Sequence, residues 1–267
     1  MAKHNMTLAD MWMNMMPKEV KDTFGQEYTP EIFDKWMSAT FYNGLEDYDA
    51  DEKNVYTIDN TEYGKPGVKH LREIVGLTGD FEYDTKAIEE VQLERYAKMN
   101  MKQFQEDRHA EDTTDKKKGQ IIWLHGYPCS GKTFTGDYLA TIGWYNVDGD
   151  WFARATDPKD IIMAKKLVEG ISKICHNEPM SEEHMQNMKT HLKDLCDKAI
   201  KSAESGVDTA VSFICYTKWQ RDYIKTLIPD IKIVHIKVDV SILLPKNRNR
   251  ITKAMSHHGM TLKQMWD

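Results

Sequence analysis

Short apolar runs alternate with amphipathic stretches through the second half of the chain, and that alternation predicts strands separated by helices. Residues 120–125 (QIIWLH) form a compact apolar block with the length of a buried strand. A helix is expected over 132–142 and a second strand over 144–147. Two amphipathic helices follow. Ile161, Ala164, Val168, Ile171 and Cys175 share one face of the first; Met185, Met188, Leu192, Leu195, Ala199 and Ala203 share one face of the second. Residues 207–214 and 231–238 (IKIVHIKV) read as a third and a fourth strand, with a helix over 217–227 between them that Pro229 ends. Strands joined through helices imply right-handed crossovers and a parallel sheet, an α/β fold.

The first third is patterned less clearly. Helices are expected over 8–16, 30–40, 68–75 and 85–108, with a lone strand over 54–58 (NVYTI). The helix over 85–108 keeps Ile88, Val91, Tyr96 and Met99 only loosely on one side, as a solvated connector would. The charged stretch 111–119 (EDTTDKKKG) lacks periodicity. The organisation expected is therefore a mainly helical segment over 1–112, possessing the strand near 54–58, a linker over 113–119, and an α/β domain over 120–267.

Composition narrows the class. With 40% apolar and 29% charged residues in 267, the chain can bury a core and does not read as disordered. The net charge of −6 argues against a nucleic-acid partner, which selects for basic excess. Cys129, Cys175, Cys196 and Cys215 are widely spaced with no C-x-x-C pair, as expected of reduced thiols in the cytoplasm rather than of a zinc site. No apolar run is long enough to span a membrane, and Met1 to Met16 lacks the core of a signal peptide.

Gly126-Tyr127-Pro128-Cys129-Ser130-Gly131-Lys132-Thr133 matches G-x-x-x-x-G-K-[ST] at every position, after an expected strand and before an expected helix. That context suits a phosphate cradle. Glycines allow close approach, successive main-chain N–H groups form an anion nest, and the helix directs its positive end at the same place. The pattern points to ATP with Mg²⁺, Lys132 reaching the β- and γ-phosphates and the Thr133 hydroxyl acting as a metal ligand. Beyond the next strand stand Asp148 and Asp150, where open α/β sheets bind ligands. Asp148 is the candidate holder of a metal-bound water; Asp150 is the candidate base for an acceptor hydroxyl, with Arg154 as an anion clamp. Ser212 and Arg221 are candidate acceptor contacts. Lys246, Arg248 and Arg250 follow the fourth strand, and Arg248 and Arg250 are candidates for stabilising the charge of phosphoryl transfer.

On these residues the segment 120–260 resembles the small-molecule P-loop kinases: gluconate, shikimate and adenylylsulfate kinases. Val147-Asp148-Gly149-Asp150 is similar to the DGD that ends strand two in gluconate and adenylylsulfate kinases, and Gln220-Arg221-Asp222-Tyr223 is similar to the segment after strand three in gluconate kinases. The resemblance implies a three-layer sandwich with a parallel sheet, the P-loop nucleoside triphosphate hydrolase fold, and ATP-dependent phosphorylation of a hydroxyl on a small molecule, with a sugar acid favoured. It also sets the Arg248 and Arg250 segment where the family has its lid. Three departures stand out. Pro245 requires the helix before the lid to start late or kink. Tyr127-Pro128-Cys129 replaces the family's small loop residues. The chain stops soon after the lid, ahead of the family's fifth strand and last helix. Residues 6–12 (MTLADMW) recur as 260–266 (MTLKQMW), and residues 45–59 resemble the stretch that leads into the family's fifth strand. The expectation is that the first segment supplies that strand, as in a circular permutant or a piece of a tandem kinase. Two other functions fit the same motif: a polynucleotide 5′-hydroxyl kinase, and a non-catalytic ATP-binding regulatory module.

Overall fold

The structure is a computed structural model. It describes residues 52–61, 65–79, 81–82, 84–99, 117–150 and 158–257, with single positions between 31 and 38. The helix expected over 8–16, most of that over 30–40, both copies of the repeated heptapeptide and Arg154 lie outside the described residues.

Five strands make one sheet: β1 (Val55–Asp59), β2 (Ile121–His125), β3 (Tyr145–Asp148), β4 (Thr209–Ser212) and β5 (Lys232–Lys237). Their spatial order is β1-β5-β2-β4-β3, and every pairing is parallel. The helices are α1 (Lys65–Ile74), α2 (Thr85–Met99), α3 (Lys132–Thr141), α4 (Pro158–Cys175), α5 (Glu182–Glu204), α6 (Lys218–Leu227) and α7 (Val240–His257). The architecture is α/β. The central strands β2 and β4 are buried at every position, so both faces of the sheet are covered there, which is why their sequences are continuous apolar runs rather than alternating ones.

The chain divides into two compact units. One comprises Tyr48–Trp151 and His191–Val238 and holds the whole sheet with α1, α2, α3 and α6. Its core includes Trp123, Leu124, Val211, Phe213 and Ile233, and the Trp123 indole donates to the Phe213 carbonyl at 2.9 Å. The other comprises Met1–Asp47, Phe152–Thr190 and Asp239–Asp267, with α4 and α7 among its described elements. On α4 the expected face is buried at Ala164, Val168, Ile171 and Cys175, joined by Leu167 and Ile174. Burial pushes the Cys175 thiol up to about 12, so it stays protonated.

Three features go beyond what the residues alone suggested. The strand near 54–58 lies in the sheet: Val55↔Ile233 through Asp59↔Lys237 pair in register, making β1 the edge strand beside β5. The sheet thus draws strands from both sides of residues 113–119. α2 is no solvated connector, since Ile88 is fully buried and Arg95 reaches into the fold. Finally, Pro245 lies inside α7, so of the two expected outcomes the late start does not occur. The Asp239 carboxylate accepts the Ser241 N–H at 2.8 Å and caps the helix. Pro245 has no N–H to donate to the Ser241 carbonyl, and the helix continues past it to His257.

Two buried polar contacts tie the edge strand into this unit. Glu52, just before β1, accepts from Arg221 Nε at 2.9 Å and from Lys225 Nζ at 2.7 Å, both on α6. Asn60, just after β1, donates its N–H to the Lys237 carbonyl at 2.8 Å.

Candidate active site

Because all five strands run the same way, residues that follow the strands gather at one edge of the sheet. The loop from Gly126 to Thr133 leaves β2 there and becomes α3. Three of its residues have left-handed backbone: Gly126 (φ 152°), Cys129 (φ 64°) and Gly131 (φ 97°). At Gly126 a Cβ would stand 2.5 Å from the Ile236 carbonyl oxygen and 2.7 Å from Ser130 Oγ, so no larger residue fits. Gly131 is the N-cap of α3, and the helix opens directly on Lys132. Its N-terminal dipole therefore faces the loop.

The loop is held from several sides. Asn60 Nδ2 donates to the Ser130 carbonyl at 3.1 Å. Lys132 Nζ donates to the Gly126 and Tyr127 carbonyls at 2.8 and 2.9 Å, so its ammonium lies against the loop's own main chain. Ser130 Oγ is buried with no hydrogen-bond partner among the described residues, and it faces the Gly126 backbone. Thr133 is half-buried in the first turn of α3. His125, the last residue of β2, is fully buried and accepts the Cys215 N–H on Nδ1 at 2.8 Å. Burial first, then the positive charge of His235, Lys132 and Arg221, holds its pKa well below the usual histidine value, so it is neutral.

Asp148 ends β3 and is nearly buried, its side chain 8% exposed. Its Oδ1 accepts the Asp150 N–H at 3.0 Å, and its Oδ2 pairs with Arg95 Nη1. Arg95 also makes a two-pronged contact with Asp137 on α3, Nε to Oδ1 at 2.9 Å and Nη2 to Oδ2 at 3.1 Å. Asn146 Nδ2 donates to the same Asp137 Oδ1 at 2.8 Å. The sequence reading missed Arg95 and Asp137 altogether. Neither stands in a motif, and α2 lacks the apolar stripe that would have marked it as packed.

The other expected residues distribute as follows. Asp150 is exposed, one residue beyond Gly149, where a Cβ would strike the Phe213 ring at 2.5 Å. Ser212 is 2% exposed and donates to Asn146 Oδ1 on β3 at 3.0 Å. Arg221 is held inside the fold as well. It is fully buried, with Glu52 on Nε and the Cys215 and Tyr216 carbonyls on Nη1 at 3.3 and 3.1 Å. Arg248 lies on α7 in the other unit, Nη1 3.5 Å from Asp34 Oδ2, and Arg250 lies one half-turn further along that helix. Lys246 is half-buried on the same helix.

The oxygen donors at the sheet edge, the Thr133 hydroxyl and the Asp148 carboxylate, are hard ligands that suit magnesium. Since Arg95 offsets much of the Asp148 charge, that carboxylate is better fitted to hold a metal-bound water than to bind the ion directly. No group of three or more metal-ligating side chains occurs among the described residues, and none of the described helices is long and apolar enough to cross a membrane.

No family model matches the chain, and no curated protein sequence matches it. Solved structures are similar to part of it, among them the following two. A sugar kinase from Janibacter sp. is 17% identical over 55% of this chain and 73% of its own, with a TM-score of 0.34. The protein APE1195 is 22% identical over 57% of this chain and 78% of its own, with a TM-score of 0.37.

Proposed function

We propose that the chain is an ATP-dependent phosphotransferase of the P-loop nucleoside triphosphate hydrolase fold, phosphorylating a hydroxyl of a small molecule. The observation that carries this reading is the loop itself: a full match to the phosphate-binding pattern, with Gly126 and Gly131 in left-handed backbone and α3 opening on Lys132. Such a turn directs several main-chain N–H groups and a helix dipole to one anion.

On this reading Lys132 gives up its two carbonyl acceptors for the β- and γ-phosphate oxygens of ATP. The Thr133 hydroxyl and, through a water, Asp148 would hold magnesium, whose charge when bound offsets that of the phosphates. Asp150, exposed at the same edge, accepts the proton of the acceptor hydroxyl as it attacks. Arg248 and Arg250 are proposed to stabilise the equatorial oxygens and Arg154 to bind an anionic acceptor, which is why a sugar acid is favoured. We further propose that β1 stands for the last strand of the kinase sheet, contributed from the N-terminal side of the chain.

An ATP-consumption screen over sugar acids, shikimate, nucleosides, adenylylsulfate and 5′-hydroxyl oligonucleotides tests the proposal, with Lys132→Met as control. The expected result is turnover with a sugar acid that the variant loses. Equal turnover in Lys132→Met refutes it. ATP binding without turnover on any acceptor favours the regulatory reading instead.

A further inference from the structure

Three nitrogens of Arg95 serve two carboxylates on two different elements. Nε and Nη2 take both oxygens of Asp137 on α3, and Nη1 takes Asp148 Oδ2 at the end of β3. The three side chains are 11%, 0% and 8% exposed. Asp137 explains why an arginine must be there. A fully buried carboxylate needs a cation and further donors, and Asn146 Nδ2 supplies the second donor at 2.8 Å. Asp137 alone does not explain Nη1, which is spent on the acid next to the loop. The same polar cluster continues toward the loop, since the single Ser212 hydroxyl proton lies between two acceptors, Asn146 Oδ1 at 3.0 Å and the Lys132 carbonyl at 3.3 Å from Oγ.

We propose that Arg95 is a positioning residue for the magnesium response of the loop, fixing the Asp148 carboxylate relative to α3 by holding Asp137 and Asp148 in one fork. The inference rests on the phosphotransfer reading above. Arg95 touches neither nucleotide nor acceptor in it and acts only through Asp148. With Oδ2 held by Arg95 and Oδ1 by the Asp150 N–H, the carboxylate cannot rotate, and its remaining lone pairs keep one direction. Partners of this outer kind change metal affinity about 10–100-fold when removed.

Lysine separates the two duties of Arg95. A single ammonium can neutralise Asp137 but cannot reproduce a planar three-nitrogen fork. The experiment titrates a fluorescent ATP analogue into the full chain, first in EDTA and then with increasing MgCl₂, for the wild type, Arg95→Lys, Asp148→Asn and the double variant. The expected result is an affinity in EDTA that stays within about twofold, and a magnesium midpoint about tenfold higher in each single variant, with no further rise in the double. An Arg95→Lys variant with the wild-type midpoint overturns the proposal. So does one that loses affinity equally in EDTA and in magnesium, because that is the signature of a structural role. Should Arg95→Lys fail to fold, the paired Arg95→Met/Asp137→Met variant, which removes fully buried Asp137 together with its cation, decides the question by the same midpoint. A wild type that binds the analogue in neither condition sinks the phosphotransfer reading itself, whereas magnesium-coupled binding untouched by these variants sinks only the role of Arg95.

Discussion

Replacing Glu52 with alanine would strip buried Arg221 and half-buried Lys225 on α6 of their shared anion. Glu52 Oε2 is 2.9 Å from both Nε and Nη2 of Arg221, and its Oε1 is 2.7 Å from Lys225 Nζ. Arg221 is fully buried and the Glu52 side chain only 6% exposed, so water cannot take over the contact. Removing one partner of a buried pair costs about 3–5 kcal/mol, because the other charge stays uncompensated. For a domain of this size that corresponds to a fall in Tm on the order of 10 °C. The double variant Glu52→Ala/Arg221→Met should recover a large part of the loss, since no lone charge remains. Urea unfolding of the three proteins, followed by tryptophan fluorescence, measures both quantities. Acid gives an independent check. Burial raises the Glu52 pKa, but the hydrogen bonds and charges of Arg221 and Lys225 outweigh it and hold it below 4.5. A carboxylate with a depressed folded pKa stabilises the fold above its unfolded value, and that stabilisation is lost as pH falls below about 4.5 through the folded pKa. Wild type and Glu52→Ala should therefore converge in stability below that pH. A cost under about 1 kcal/mol at neutral pH, the range of an exposed pair, would refute the docking of the segment before β1 onto α6.

Gly126→Ala should weaken ATP binding at least tenfold and destabilise the fold by about 1–3 kcal/mol, because its Cβ would press on the Ile236 carbonyl oxygen; calorimetric titration and thermal melting read the two effects. Asn60→Ala frees the Ser130 carbonyl, and the expected outcome is several-fold weaker nucleotide binding with a stability loss of about 1 kcal/mol, measured in the same way. His191 donates its Nε2–H to the Gly149 carbonyl oxygen at 3.1 Å, and burial lowers its pKa from 6.5 to about 4. Its folded pKa is depressed, so the unfolded chain takes up the proton first and stability falls as pH drops from 6.5 toward 4. His191→Gln should flatten that slope in urea midpoints measured across the window, and an unchanged slope would contradict the assignment.

The strands announced themselves in the sequence because the middle of the sheet is buried on both faces, leaving IIWL and IVHI with no polar side to alternate. The loop was equally plain, its glycines being demanded by left-handed backbone and a close approach to Ile236. What could not be read was long-range and polar. The likeness of residues 45–59 to a known strand suggested that VYTID joins the sheet, but its partner β5, almost 180 residues later, has no local signal. Arg221 stands in a motif-like stretch, yet its partner Glu52 is 169 residues away, so nothing local announces the ion pair. The misread α2 has a similar cause. Its anchor is an arginine reaching two acids, and hydrophobic periodicity is blind to a polar anchor.

Isothermal titration of ATP with magnesium into the full chain and into Lys132→Met tests the phosphate cradle most directly. The account predicts saturable one-to-one binding by the wild type. In the variant the affinity should fall at least tenfold, while its Tm and circular dichroism stay those of the wild type. Absence of binding by the wild type, or an equal affinity in the variant, would contradict it.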